Sequence, residues 1–294
     1  MRQAAAAAAG GQSFPAGALY VVATPIGNLA DLSLRAIHLL ALADAIACED
    51  TRHSAPLLRA LGIEGKPLLA VHEHNEREAG EKLLDRLRCG EAIALISDAG
   101  TPAISDPGAR VVAAVQAAGF PVIPVPGASA VIAALAASGL SDERFFFAGF
   151  LPAKAAARRA EIARLAAVPA ALVFYEAPHR IQETVADLAE LLGPARQLVV
   201  ARELTKLFEE IARMPLAEAA AWFAADPNRL RGEFVLAVSA PPEHSGLDAE
   251  AERILALLVE ALPTGPAARL ASEISGVSKN ALYRRALELK KDEG

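Results

Sequence analysis

Short apolar runs alternate with longer amphipathic segments along most of the chain. Apolar runs of this length bounded by Gly, Pro or Asp are typical of buried strands, and apolar residues spaced three or four apart are typical of helices. In the first half, the pattern predicts strands at 19–23, 45–48, 67–71, 92–96 and 122–125. It predicts helices at 31–42, 54–61, 76–88 and 108–118. This alternation indicates a mostly parallel sheet covered on both faces.

A second block of the same kind starts near Phe145. Strands are predicted at 145–147, 171–175, 198–201 and 234–238, and helices at 153–165, 180–192 and 216–224. The final segment is helical, and the spacing of Ser272, Gly276 and Leu282 suits two helices crossing at a tight turn. The predicted organisation is a disordered tail (1–16), an N-terminal α/β domain (17–138), a C-terminal α/β domain (139–241), a linker (242–248) and a helix-turn-helix-like tail (249–294).

Composition supports a folded chain with sizeable cores. Of the 294 residues, 53% are hydrophobic and 22% are charged, which excludes disorder over most of the length. The net charge of −6 argues against a protein coated in positive charge. Between Thr264 and Lys291, however, the sequence has six basic residues and only two acidic ones, so the tail is locally basic.

Several classes of protein are disfavoured. Cys48 and Cys89 are too few for a disulfide framework or a cysteine-rich zinc site. No apolar run approaches the roughly 20 residues of a membrane helix. The Ala-rich start lacks the larger apolar residues of a secretory signal, so we expect a cytoplasmic protein with no membrane partner.

Each polar loop of the first block follows a strand, and in open α/β sheets that edge binds ligands. The most elaborate loop is Ser97–Gly108, with Asp98, Gly100 and Gly108 along it. It matches neither GxxxxGK[ST] nor GxGxxG, which disfavours ATP and NAD chemistry. Taken alone, it is also compatible with an ordinary strand–helix connection.

Histidines and nucleophiles add little specific chemistry. His72 and His74 are close in sequence, but no third ligand has convincing spacing, so no metal is predicted. His179 follows a strand and precedes a helix, which favours a role in a site. There is no GxSxG motif, and Cys48 has no evident histidine partner, which disfavours covalent hydrolase chemistry.

Eight strings occur in one order: TPIGNLADLSLRA, EDTR, LISDAGTPAISDPG, PVPGASA, GFLP, FYEAPHR, RELTKLFEE and RGEFVLAV. Together they resemble the ribosomal RNA small-subunit methyltransferase I family, a branch of the tetrapyrrole-methylase-like (class III) methyltransferases. The resemblance covers Leu19 to Ala240, and the tail resembles the family's helix-turn-helix extension. It implies two α/β domains of the tetrapyrrole methylase type and S-adenosylmethionine (S-adenosyl-L-methionine) as cofactor. It further implies a homodimer that methylates the 2′-hydroxyl of a cytidine in the decoding region of 16S rRNA in the small ribosomal subunit.

The resemblance also assigns site residues. The implied cofactor contacts are Pro25, Gly27, Asp98, Gly100, Thr101, Ile104, Ser129, Ala130 and Tyr175. Among these contacts, Asp98 is the most directly implied. Ser97–Gly100 stands where tetrapyrrole enzymes commonly have Gly-Gly-Asp-Pro, and both segments contain an aspartate. From their positions in the loops after strands, the candidate general bases are Glu49, Asp50 and Glu176. The candidate contacts to substrate RNA are Arg52, His179, Arg180 and Lys206.

Two alternative functions remain. One is a small-molecule methyltransferase acting on a tetrapyrrole, although such a substrate needs neither a basic helix-turn-helix tail nor the EDTR and RELTK clusters. The other is a DNA-binding regulator whose α/β part senses a ligand. A DNA reader would present a basic recognition helix, whereas Lys279–Leu289 is only modestly basic.

Overall fold

The structure, a computed structural model, describes residues 1–72, 74–242 and 249–292. The chain forms two compact units, Met1–Pro241 and Pro242–Gly294. Apart from Pro242, the predicted linker lies outside the described residues. No helix within the described ranges is long and apolar enough to cross a membrane.

The first sheet of the larger unit is parallel, as predicted. Its strands are β1 (Leu19–Val22), β2 (Ala45–Cys48), β3 (Leu68–Ala70), β4 (Ile93–Ile96) and β5 (Val122–Val125). Their order across the sheet is β3-β2-β4-β1-β5, so β1 lies between β4 and β5. The helices of this half are α1 (Arg2–Ala9), α2 (Leu34–Leu42), α3 (Thr51–Ala60), α4 (Glu76–Arg88), α5 (Ala109–Ala117) and α6 (Ala130–Ala137).

The second sheet is mixed. Its strands are β6 (Phe145–Phe150), β7 (Ala171–Glu176), β8 (Gln197–Arg202), β9 (Glu210–Pro215) and β10 (Phe234–Val238). Their order is β6-β7-β10-β8-β9, with β6 and β7 parallel and β10 antiparallel to both of its neighbours. The ends of β7 and β8 and the start of β10 therefore share one edge. The helices of this half are α7 (Ala155–Leu165), α8 (Ile181–Leu192) and α9 (Leu216–Ala224).

Apolar side chains on alternate strand positions pack against helices on opposite faces of each sheet. In the first sheet, Ile46 packs in one core with Leu39, and Leu95 packs in another with Leu83. In the second sheet, Phe174 belongs to a core with α7, α8 and α9. The predicted α/β class is confirmed.

Helix α6 packs on the second sheet, although it lies within the predicted N-terminal domain in sequence. Its Val131 and Ala134 share a core with Val173 and Val199. In the chain, α6 follows β5, the last strand of the first sheet, and precedes β6, the first strand of the second sheet. The helix thereby joins the two halves of the larger unit.

The N-terminal segment differs from the expected disordered tail. Residues 2–9 form α1, whose Ala5 and Ala9 are buried. Ala has the highest helix propensity, and its small side chain lets α1 lie close to α2. Arg2 Nη1 also donates a hydrogen bond to the carbonyl of Gly62 at 2.7 Å. Packing on the first domain thus orders a segment that appears featureless in sequence.

The smaller unit contains α10 (Ala249–Ala261), α11 (Thr264–Ser275) and α12 (Lys279–Asp292). Gly276 ends α11 in the left-handed conformation (φ 74°), and its amide donates to the carbonyl of Ser272 at 2.9 Å. Leu282 is fully buried in a core with Leu255 and Ala268. The predicted helix-turn-helix is therefore present in α11 and α12.

Candidate functional site

The loop after β4 is tied to the loop after β1 by backbone hydrogen bonds. The Thr24 amide donates to the carbonyl of Gly100 (2.8 Å), and the Gly100 amide donates to the carbonyl of Thr24 (3.1 Å). Because β1 and β4 are neighbours, both loops leave the carboxyl edge of the sheet side by side. This is the edge at which open α/β sheets bind ligands.

The far end of the loop Ser97–Gly108 is held by a buried carboxylate. Glu76 Oε1, at the start of α4, accepts a hydrogen bond from the Gly108 amide at 2.6 Å. Gly108 adopts φ 124°, and a Cβ there would lie 3.1 Å from Leu95 Cδ2. A negative charge at the first turn of α5 also interacts favourably with the helix dipole. The role of Glu76 in holding this loop was not predicted from the sequence.

A cleft of about 380 Å³ lies between this edge and the second sheet. That volume is within the range of small-molecule sites, roughly 300–1,000 Å³. Seven of the predicted site residues line it: Gly100, Thr101, Ile104, Ser129, Ala130, Tyr175 and Glu176. The structure therefore brings together residues that are up to 76 positions apart in the chain.

Three predicted cofactor residues lie beside the cleft instead of in its lining. Pro25 and Gly27 flank Ile26, which does line it, and Asp98 precedes the lining residue Ala99. The space next to Gly27 is filled by Lys206, whose Cγ would lie 2.5 Å from a Cβ at that glycine.

Several lining residues were not assigned from sequence. They include Ile26, Asp106, Phe150, Leu204 and Val235. Asp106 belongs to the loop Ser97–Gly108, and Phe150, Leu204 and Val235 belong to the GFLP, RELTKLFEE and RGEFVLAV strings. The sequence feature that could have identified these residues is their position at, or next to, the ends of predicted strands.

Tyr175 forms part of the wall contributed by the second sheet. Its ring contacts Phe147 edge-on, with centroids 4.9 Å apart, and Phe150 at 5.5 Å. Burial raises the pKa of the Tyr175 hydroxyl above its ordinary value of 10.0, and the negative charge of Asp106 adds to this. Asp106 and Tyr175 both line the cleft.

Glu176, a predicted general base, is engaged in a buried network. Its side chain is 0% exposed, and that of Arg180 is 14% exposed. Glu176 Oε1 accepts hydrogen bonds from the Ala177 amide (2.7 Å) and from Arg180 Nε (2.8 Å) and Nη2. Its Oε2 accepts one from Thr184 Oγ1 at 2.6 Å. These hydrogen bonds occupy the Glu176 carboxylate and the Arg180 guanidinium, and they hold the loop after β7 in its conformation.

Four carboxylates gather at the ends of β2 and β4. Burial raises the pKa of Glu49 above its ordinary 4.5, and the negative charges of Asp106, Asp98 and Asp50 raise it further. Burial likewise raises the pKa of Asp106 above 3.8, with a smaller contribution from Asp98. Carboxylates are therefore concentrated beside the cleft, and Asp106 is the one of the four that lines it.

Asp50 has a different environment. It caps α3 by accepting a hydrogen bond from the Arg52 amide at 2.8 Å, and it also binds the Arg52 guanidinium. These hydrogen bonds from Arg52 lower the pKa of Asp50 to about 2. A carboxylate with so low a pKa is a weak proton acceptor. Arg52 itself is 88% exposed and available to solvent.

Lys206 pairs with two carboxylates of the same half of the larger unit. Its Nζ lies 2.8 Å from Glu203 Oε1 and 2.8 Å from Glu233 Oε2. The two hydrogen bonds outweigh burial and raise the Lys206 pKa, so the amine stays charged. His179, by contrast, is exposed at the turn after β7.

No group of three or more His, Cys, Asp or Glu side chains suited to a metal ion occurs in the part of the chain that the structure describes. The His72 and His74 rings lie 6.3 Å apart.

Comparison with protein families identifies two matching segments. Residues 18–220 match the tetrapyrrole (corrin/porphyrin) methylases. Residues 245–290 match the RsmI C-terminal HTH domain.

Curated relatives match over nearly the whole chain. The ribosomal RNA small subunit methyltransferase I of Pseudomonas aeruginosa is 54% identical over 93% of this chain and 98% of that protein. The proteins of the same name from Xylella fastidiosa and Escherichia coli O157:H7 are 53% and 49% identical, over 91% and 92% of this chain and 98% and 95% of theirs.

Solved structures share the fold at low sequence identity. A cobalt precorrin-4 methyltransferase superposes with a TM-score of 0.55 at 18% identity, covering 77% of this chain and 98% of that one. The uroporphyrin-III C-methyltransferase from Thermus thermophilus, complexed with S-adenyl homocysteine, gives 0.52 at 20% identity, covering 75% and 96%. At these identities the likeness concerns the fold alone.

Proposed function

The chain belongs to the tetrapyrrole (corrin/porphyrin) methylases, and on this premise we propose that it transfers a methyl group from S-adenosylmethionine to a cytidine 2′-hydroxyl in the decoding region of 16S rRNA. The observation that carries the proposal is the similarity to ribosomal RNA small subunit methyltransferase I, at 54% identity over 98% of that relative. The match to the RsmI C-terminal HTH domain extends this similarity beyond the two α/β domains.

The cleft fits S-adenosylmethionine. Ile26, Ile104 and Val235 offer apolar surface for an adenine ring. Thr101, Ser129 and backbone groups of the loops after β4 and β5 offer hydrogen-bonding partners for ribose and amino-acid groups. Gly100, with φ 80°, brings the backbone of its loop to the cleft surface without a side chain.

When bound, S-adenosylmethionine supplies an activated methyl group for an in-line displacement. Such a reaction depends mainly on the positioning of the two reactants and on the exclusion of water. We assign the positioning of the donor to the loop Ser97–Gly108, whose two ends are held by Thr24 and Glu76. The wall around Tyr175 closes the opposite side.

The four residues predicted to contact RNA differ in how far their side chains are exposed. Arg52 and His179 are exposed, so we propose that they contact the substrate, with Arg52 positioned for a phosphate. The Arg180 and Lys206 side chains are only 14% and 28% exposed and are paired with carboxylates, so we propose that they act by shaping the loops that contact RNA.

The three predicted general bases also differ. Glu176 already accepts four hydrogen bonds, and Asp50 is a weak base because of Arg52. Glu49, with its raised pKa, is the candidate that remains among these three carboxylates.

We also infer that the enzyme works as a homodimer in the cytoplasm, where small ribosomal subunits are found. Phe145 and Phe146 leave large apolar side chains exposed on β6, an edge strand of the second sheet. A second copy of the chain would cover such a surface. Light scattering on the purified protein tests this point, and a monomeric mass at working concentration would contradict it.

The proposed activity is tested with methyl-labelled S-adenosylmethionine and three acceptors. These are small subunits lacking the modification, naked 16S rRNA, and a tetrapyrrole. We expect label in RNA of the small subunit at one cytidine, as a ribose methyl that protects the adjacent phosphodiester from alkaline cleavage. Label in the tetrapyrrole alone, on a base, or in none of the acceptors would reject the proposal.

A further inference from the structure

The first turn of α3 carries a histidine held by Asp98. His53 Nδ1 lies 3.1 Å from Asp98 Oδ2. The other oxygen, Asp98 Oδ1, accepts a hydrogen bond from the Asp50 amide at 3.3 Å. The Asp98 carboxylate therefore joins the start of α3 to the loop after β4, and it lies within hydrogen-bonding distance of the imidazole ring.

This arrangement leaves one ring nitrogen available. A neutral imidazole carries a proton on one nitrogen and a lone pair on the other. With Nδ1 directed at a carboxylate, the proton is favoured there and the lone pair is on Nε2. The His53 side chain is 73% exposed, so the Nε2 side of the ring is open to a substrate.

The pair adjoins the residues that line the cleft. Asp98 is followed directly by Ala99 and Gly100, which line the cleft. Asp106, another lining residue, is near enough to Asp98 for their charges to interact. His53 is therefore linked to the cleft lining through Asp98 and the residues that follow it.

We propose that His53, positioned by Asp98, is the proton acceptor for the ribose 2′-hydroxyl. This inference rests on the proposed function. As the 2′-oxygen attacks, its O–H proton moves to His53 Nε2, a bond forms between that oxygen and the methyl carbon, and the bond between methyl carbon and sulfur breaks. The electron pair of that broken bond remains on sulfur, which becomes a neutral thioether. The resulting imidazolium then releases its proton to water.

The surrounding charges suit this role. His53 Nδ1 lies 3.1 Å from Asp98 Oδ2 and 3.8 Å from Asp50 Oδ2, Glu49 is close enough to be influenced by the His53 charge, and Arg52 is paired with Asp50. Positive charge that forms on His53 during the reaction therefore meets carboxylates. Glu49 is the competing acceptor, and the experiment must separate the two.

The inference is tested with His53→Ala, His53→Gln, Asp98→Asn and Glu49→Gln, with His74→Ala as the matched control. His74 is an exposed histidine in the connection after the edge strand β3. Single-turnover methyl transfer is measured at saturating cofactor and RNA. We expect both His53 variants and Asp98→Asn to lose about 10²–10⁴-fold in rate, as for removal of a general base. Affinities of the His53 variants for S-adenosylmethionine and RNA should not change.

A second readout does not depend on activity. In protein carrying ¹⁵N-labelled histidine, we expect the His53 ring to be in the Nδ1–H form, and we expect Asp98→Asn to change that form. Circular dichroism and the thermal midpoint establish that each variant is folded. If His53→Ala unfolds, the His53→Gln variant carries the rate test.

The outcomes separate this inference from the proposed function. If wild-type enzyme labels no RNA, the proposed function fails. If wild-type enzyme labels RNA and the His53 variants match it, only the present inference fails. It also fails if Glu49→Gln removes activity while His53→Ala retains it, or if the His53 ring is in the Nε2–H form.

Discussion

The buried pair of Glu176 and Arg180 allows a direct test of whether Glu176 is structural or catalytic. Replacing Glu176 with Gln keeps its shape but leaves the Arg180 guanidinium without a counterion in a largely buried position. Breaking a buried ion pair by removing one partner costs about 3–5 kcal/mol. In a unit of this size, that cost lowers the thermal midpoint by about 6–20 °C, at about 2–4 °C per kcal/mol.

The measurement is urea and thermal unfolding of Glu176→Gln followed by circular dichroism. Glu78→Gln is the matched control, because it breaks an ion pair with Lys82 in which Glu78 is 69% exposed. Such a surface pair contributes below about 1 kcal/mol. The double variant Glu176→Gln/Arg180→Met should be more stable than Glu176→Gln alone, since it removes the unpaired charge.

A contrary result would identify Glu176 as a general base. In that case Glu176→Gln would unfold like the wild type, bind S-adenosylmethionine normally, and lose about 10²–10⁴-fold in the rate of methyl transfer. Our interpretation requires instead that Glu176→Gln lower the free energy of unfolding and the thermal midpoint.

Two further predictions concern the loops around the cleft. A Cβ at Gly127 would lie 2.9 Å from the buried Cβ of Ala23, so Gly127→Ala should lower stability by about 1–3 kcal/mol and weaken cofactor binding in calorimetry. Gly265→Ala is the control, because no described atom outside its chain neighbours and its own helix backbone lies within 4 Å of a Cβ there; it should change stability by less than about 1 kcal/mol and leave cofactor binding unchanged. The pKa values of Glu49 and Asp106 are raised in the folded state, so their contribution to stability is complete at acid pH and is lost as pH rises through those values. Glu49→Gln and Asp106→Asn should therefore gain stability relative to wild type between about pH 4 and neutrality in urea titrations, and a constant difference across that range would contradict the assignment.

The strands of the first sheet could be predicted because they are buried on both faces. A continuous apolar run of this kind, such as Ala45–Cys48, is a strong signal, and its predicted and observed bounds agree. Strand β9 (Glu210–Pro215) gave no comparable signal. It is an edge strand with half-exposed positions, so burial imposes little pattern on its sequence.

Two helices were missed for opposite reasons. Ala130–Ala137 is apolar on every side, so it has no helical period to detect. Arg2–Ala9 is nearly all alanine, and alanine propensity alone does not predict whether a short helix finds a surface to pack on. In both cases tertiary packing decides the structure.

The candidate site could be predicted as a set of loops but not as a set of contacts. Parallel strands place their following loops at one edge, which follows from alternation alone. The contact between His53 and Asp98 depends on β2 being the neighbour of β4, and strand order is not encoded in the apolar pattern. For this reason the EDTR string predicted charged side chains at the edge but left the adjacent histidine unnoticed.

Backbone strain gives an independent argument that the two loops beside the cleft are shaped for a ligand. Among the described residues, the non-glycine positions with positive φ are Ala103, Ser105, Glu203 and Thr205. They fall in two loops, one at the edge of each sheet, and each loop contributes lining residues to the cleft. Each such residue costs about 1–3 kcal/mol, which persists only where surrounding contacts enforce it. Since the helices and sheets of the larger unit avoid this cost, its concentration in two loops beside one cleft supports the proposal that these loops are shaped for a ligand.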